Sequence, residues 1–244
     1  GLDRYLQSFT ITAHTTGKLY NMQRSLDYFS LGHPLVAVRS HFAMRARRRM
    51  FELFMKEFTP TPQSKVLDLG VTPDTTLPES NFFEALYPYR KQITAASIED
   101  ASCIESKFPG VKFSQIGRGR LPYADKQFDM VFCSAVLEHV GTRDEQRQFV
   151  SEVIRVSKAF FLTTPNRWFP IDFHTLVPFA HWLPQKQHQA TLRSLGHDFL
   201  ARTENLNLLS VTDVQALFPA DVTPKLRKLR LVGWTSNLVV LGHS

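Results

Sequence analysis

His139, Asn166, Arg167 and His174 carry the most versatile chemistry in this chain. An imidazole titrates near neutral pH, so His139 could serve as general base toward a hydroxyl substrate, or simply shape the site around it. Arg167 could clamp a carboxylate or phosphate through its planar guanidinium. Asn166 and His174 lie in the same stretch, among Trp168, Phe169, Phe173 and Trp182, whose rings could equally do no more than hold that stretch against the protein. Upstream, Lys65-Val66-Leu67-Asp68-Leu69-Gly70 runs an apolar segment into an acid and a glycine. Gly70 lacks a side chain and would let a ligand touch backbone; Asp68 is either a ligand carboxylate or a cap of its own loop. The next residues, Val71-Thr72-Pro73-Asp74-Thr75-Thr76, stand where a glycine-rich loop would be expected. Hydroxyls of Thr72 and Thr75 could supply the hydrogen bonds that glycine amides would otherwise give. No serine occupies a nucleophile-elbow pattern, so no catalytic triad is expected.

These residues need a scaffold, and from Ser64 onward strands and helices alternate. Strands are expected at 65–70, 92–97, 111–115, 128–134 and 159–164. Helices are expected at 80–87, with Ser80 as N-cap, and at 100–107 and 142–156. The repeated β-α-β order implies a parallel sheet with helices on both faces. A short helix at 211–217 precedes strands at 226–232 and 237–241. Only Gly233-Trp234-Thr235-Ser236 joins them, too short a link for a parallel crossover, so an antiparallel hairpin closes the sheet. In such a sheet ligands approach the carboxyl ends of the strands. Asp68–Gly70, Ser134–His139 and Thr164–Arg167 are therefore the segments that should frame a site.

Residues 1–62 read as an N-terminal helical cap or lid, and 63–244 as the α/β domain. Phe42, Ala46, Met50, Phe54 and Phe58 recur every four residues, which puts them on one helical face. The run Arg45, Arg47, Arg48 and Arg49 then reads as the solvated side, and Thr59-Pro60-Thr61-Pro62 ends the helix.

Bulk composition narrows the class. The 43% hydrophobic and 21% charged content of this 244-residue chain is that of a globular protein. A net charge of +7 leaves a nucleic-acid partner as a minor alternative to an ordinary cationic surface. Cys103 and Cys133 are isolated, and the histidines show no metal-ligand spacing, so no metal site is expected and a reducing cytoplasm is the expected location. No apolar run reaches the roughly 20 residues of a membrane helix, nor does the start of the sequence read as a signal peptide. Oligomeric state is not legible.

The combined order of Val66-Leu67-Asp68-Leu69-Gly70, Leu121-Pro122-Tyr123, Phe128-Asp129-Met130-Val131 and Val136-Leu137-Glu138-His139-Val140 resembles class I methyltransferases that use S-adenosylmethionine. The likeness covers about residues 64–165, and 205–244 by architecture only. Thr163–Pro170 and His181–Pro184 resemble an uncharacterised bacterial branch of those enzymes. The resemblance implies a Rossmann-like sheet of five parallel strands plus the C-terminal hairpin, with S-adenosylmethionine as cofactor. By position it assigns cofactor contacts to Asp68, Gly70, Thr72, Asp74, Ser97, Ile98, Gly117 and Ser134, and acceptor-side roles to His139, Asn166, Arg167 and His174. Ser97 stands where the family usually has a ribose-binding acid, and Gly117 where an adenine contact is common. The implied reaction is methylation, most simply at oxygen, of a small-molecule or saccharide-like acceptor. The rival expectation is a non-catalytic binding module of the same fold.

Overall fold

Short runs of β-branched and aromatic residues pair into one seven-stranded sheet in the order β3-β2-β1-β4-β5-β7-β6. Strands β1 (Val66–Leu69), β2 (Ile93–Ser97), β3 (Lys112–Gln115), β4 (Phe128–Ser134) and β5 (Ser157–Pro165) are mutually parallel. Strands β6 (Lys225–Leu231) and β7 (Trp234–His243) form the expected hairpin, and β7 lies antiparallel against β5. The computed structural model describes residues 34–244. Of the expected cap over residues 1–62, residues 1–33 lie outside the described residues. Residues 42–244 form one compact unit.

Alternation along the strands builds two cores. Val66, Ala95, Met130, Phe132 and Phe161 point to one face, where they meet Met50 and Phe54 of α1 (Pro34–Phe58) and Phe82 and Phe83 of α2 (Phe82–Leu86). The Phe132 ring stacks on Phe83 at 4.3 Å and on Phe161 at 5.4 Å, while Phe54 meets all three edge-on. Ile104 of α3 (Cys103–Lys107) joins the same face. Leu67, Leu69, Ala96, Val131, Cys133, Phe160 and Leu162 point the other way. There they meet Val150 and Val153 of α4 (Arg143–Val156) and Val214 of α6 (Val211–Gln215). Both faces are thus covered, which is why β4 and β5 are apolar along most of their length.

Three local expectations change. Ser80 does not cap α2: Asn81 holds that position with φ +52°, and Ser80 Oγ instead donates to Asp74 Oδ2 at 2.6 Å. The hairpin link is Val232-Gly233, both with positive φ, so Trp234–Ser236 belong to β7. Such mirror-type turns match the twist of the flanking strands. Between β5 and α6, where no regular element was expected, lie a single 3-10 turn, Ala180–Trp182, and α5 (Gln185–Ser194).

Candidate cofactor cleft and acceptor-side cluster

Strand order reverses between β1 and β4, so their carboxyl ends leave a crevice. A cleft of about 380 Å³ opens there, bounded by Gly70, Ser97, Ile98, Ile116, Gly117 and His139, with Arg118, Leu121, Val136, Glu145, Gln148 and Phe149 completing the wall. Its size falls within the range of small-molecule sites. Of the nominated cofactor residues, Gly70, Ser97, Ile98 and Gly117 border it; Asp68, Thr72, Asp74 and Ser134 do not.

Gly70 is required by packing as well as by turn geometry. Its φ is +103°, and a β-carbon on it would overlap Val136 Cγ2. Its N–H donates to Ala96 O at 2.7 Å, tying the β1 exit to β2. Ser97 Oγ accepts the Glu99 N–H at 3.3 Å and can still donate its own proton. Gly117 is unconstrained, since an added β-carbon would meet nothing within 4 Å.

The residues replacing the glycine loop are occupied with one another. Asn81 accepts the Thr72 N–H at 2.9 Å and donates to the carbonyls of Thr72 (2.8 Å) and Asp74 (3.1 Å). Thr72 Oγ1 accepts the Asp74 N–H at 3.2 Å, and the Asp74 carboxylate accepts from Thr76 and Ser80. Burial opposes ionisation of Asp74, but the Ser80 and Thr76 bonds outweigh it and hold its pKa below the usual range. Thr72 and Asp74 therefore brace the loop from within.

Asp68 is buried beside Glu84, which is fully buried. Burial first, and then Glu84, pushes Asp68 well above the ordinary carboxylate range, with Arg47 acting in the opposite direction. Burial likewise raises Glu84. Arg47 departs from the solvated face expected for the arginine run. Arg45, Arg48 and Arg49 are exposed, whereas Arg47 shares the helical face of Met50 and Phe54 and turns inward. Its guanidinium lies 4.9 Å over the Phe82 ring, with Nη1 3.5 Å from Ser134 Oγ. Burial lowers its pKa, with Glu79, Glu138 and Asp68 acting in the opposite direction without cancelling it. Ser134 is accordingly engaged with Arg47 and, at 2.9 Å, with Thr163 Oγ1.

On the acceptor side, His139 and His174 come together with Glu138, their rings 4.9 Å apart. His139 Nδ1 faces Asn205 O at 2.6 Å; a carbonyl only accepts, so Nδ1 carries the proton and Nε2 holds a lone pair. Burial lowers the His139 pKa despite Glu138, so the ring is neutral at pH 7. His174 Nδ1 lies 2.8 Å from Asp172 Oδ1. Burial would lower the His174 pKa, but Asp172 outweighs it and raises the value. Glu138 is fully buried, with Oε2 accepting from Thr164 Oγ1 at 2.9 Å. Sequence reasoning quoted Glu138 only within the Val136–Val140 motif and assigned no role to it or to Asp172, whose spacing alone does not bring them to His174.

Asn166 and Arg167 go elsewhere. Asn166 donates to Thr235 O at 2.9 Å and accepts the Trp168 N–H, which fastens the β5 exit to the hairpin. Arg167 lies 5.5 Å from the Trp168 ring and borders a separate cavity of about 290 Å³ with Arg143, His181 and His188. Among the described residues, Arg167 Nε, His181 Nδ1 and His188 Nε2 are buried without hydrogen-bond partners.

Comparison with known proteins agrees with this architecture. The methyltransferase domain family model matches residues 79–159, a segment that begins near the end of the loop after β1. An uncharacterized protein of Mycobacterium tuberculosis is 27% identical over 113 residues, 43% of this chain and 37% of that protein. The match thus spans well under half of that relative. A S-adenosylmethionine-dependent methyltransferase of Methanosarcina mazei superposes with a TM-score of 0.50 at 14% identity, over 77% of this chain and 95% of that one. A protein of Pyrococcus horikoshii gives 0.53 at 18% identity, over 82% and 90%. A Rhodobacter sphaeroides protein described as a zinc-dependent alcohol dehydrogenase gives 0.55 at 11% identity, over 80% and 90%. Identities this low establish shared fold and carry no chemistry. No helix among the described residues is long and apolar enough to cross a membrane. By its sheet order and its closing hairpin the chain has the fold of the methyltransferases it superposes on, and residues 79–159 of it match the methyltransferase domain model.

Proposed function

We propose that this chain is a S-adenosylmethionine-dependent methyltransferase acting at oxygen on a small-molecule or saccharide-like acceptor. The observation carrying the proposal is the cleft at the β1/β4 reversal, with Gly70, Ser97, Ile98 and Gly117 on its wall. When bound, the cofactor supplies a sulfonium-activated methyl group. Gly70 would leave room for its methionine end, Ser97 and Ile98 would line the ribose side, and Ile116 and Gly117 would line the adenine side. Ile116, Leu121 and Phe149 line the cleft and would shield a bound ligand from water, which would strengthen the polar contacts that remain. A hydroxyl acceptor must lose a proton as it is methylated, and His139, which lines the cleft, is the neutral imidazole available to take it. Arg167 and Arg143, the latter paired with Asp213 at 3.3 Å, line the separate cavity, where Arg167 would meet a carboxylate or phosphate on a larger acceptor.

The second reading, a binding module without turnover, draws on one observation: Thr72 and Asp74 are consumed in bracing their loop. Photolabelling distinguishes the location of cofactor binding. Irradiation with methyl-tritiated S-adenosylmethionine should place label in peptides spanning Ser97–Leu121, and excess S-adenosylhomocysteine should abolish it. Label confined to other peptides, or insensitive to the competitor, contradicts the proposed cleft.

A further inference from the structure

We infer that Glu138, His139 and His174 form a binding site for a first-row divalent transition-metal ion. Glu138 Oε1 lies 4.0 Å from His139 Nε2 and 3.9 Å from His174 Nε2, and the three ligand atoms fall within 4.8 Å of one another. An ion at ~2.1 Å from each would want its ligands about 3.0–3.4 Å apart. Each side-chain tip therefore needs to move inward by less than about 1 Å on metal binding.

Two independent features point to a ligand rather than to a closed hydrogen-bond network. Glu138 is fully buried, yet its Oε1 has no hydrogen-bond partner among the described residues, an expensive arrangement for a carboxylate oxygen. Meanwhile both imidazoles are oriented through Nδ1: His139 by Asn205 O and His174 by Asp172 Oδ1. That is the outer-shell arrangement that fixes the tautomer of metal-binding histidines and presents Nε2 to an ion. Asp172 is itself steadied by Thr175 Oγ1 at 2.8 Å, and the second Glu138 oxygen by Thr164.

Two imidazoles and one carboxylate suit zinc, iron, cobalt or manganese in the divalent state and leave coordination positions open. The His139 side chain remains 38% exposed and borders the cleft, which gives the ion a route in and a small molecule access to it. A seated ion and a free base are exclusive uses of His139 Nε2, so bound metal would move the basic role described above away from the imidazole.

Metal titration of the chelator-stripped protein, without cofactor, tests the site separately from any methyl transfer. Co²⁺ should bind one per chain with ligand-field absorption between those of tetrahedral and octahedral complexes, and Zn²⁺ should displace it. Glu138→Gln and His174→Ala should each weaken Zn²⁺ binding by about ten- to hundred-fold or more, and Asp172→Asn by about ten-fold. A wild-type measurement covers variants that fail to fold. Zn²⁺ should shield His139 and His174 from diethyl pyrocarbonate, mapped by mass spectrometry, while the exposed His243 stays reactive. Equal acylation of both histidines with and without Zn²⁺, or unchanged Zn²⁺ affinity in folded Glu138→Gln, would overturn the assignment.

Discussion

Gly70 shows how a single residue ties the sheet to the cleft. Positive φ and the approach of Val136 both demand an absent side chain. Gly70→Ala should therefore cost ~2 kcal/mol or more in urea unfolding, and Val136→Ala in the same chain should recover part of the loss. An unchanged midpoint in the single variant would mean that the loop relaxes freely. Asp68 and Glu84 make a second residue-scale prediction. Their raised native pKa values favour the protonated forms. The contribution of the pair is fully present below the unfolded carboxylate range, near pH ~4, and is lost as pH rises through the native values. Glu84→Gln removes one of the two competing acids. It should be more stable than wild type by roughly 1 kcal/mol or more at pH 7.5, with the gap closing toward pH 4. A gap that widens on acidification would show that Arg47 dominates the electrostatics instead.

Among the elements, the loop between β1 and α2 was the hardest to read. Its composition showed that glycine backbone was missing, but not where the Thr and Asp groups would point. The answer depends on Asn81, nine residues beyond Thr72, whose left-handed conformation turns its amide back across the loop. Asn81→Ala removes three hydrogen bonds and should cost ~1–3 kcal/mol, with amide exchange quickening at residues 71–80 and not in β4 or β5. Uniform quickening throughout the sheet would place Asn81 in the global core rather than in the loop. The strands were far easier. Buried parallel strands announce themselves as apolar runs, so β4 fell on its expected residues and β1, β2, β3 and β5 within two residues of theirs. Arg47 was misjudged because the composition of its run suggested solvent, whereas its phase with Met50 and Phe54 pointed inward.

For the molecule as a whole, the α/β order and closing hairpin were legible because connection lengths restrict topology so strongly. The acceptor-side cluster was not. Glu138 and His139 sit in a 3-10 turn after β4, and His174 comes from the long segment beyond β5; only the fold brings the three together. Asn166 and Arg167, nominated with His174 from that segment, face other surroundings, because the β5 exit is pulled toward the hairpin by Thr235. Cofactor binding at the β1/β4 cleft is the claim on which the whole account depends. Calorimetry with S-adenosylhomocysteine should give one site per chain for the wild type and no binding for Gly117→Phe, whose ring would enter the cleft from a position with open space around it. Absence of heat at millimolar ligand in the wild type, or equal affinity in folded Gly117→Phe, would contradict it.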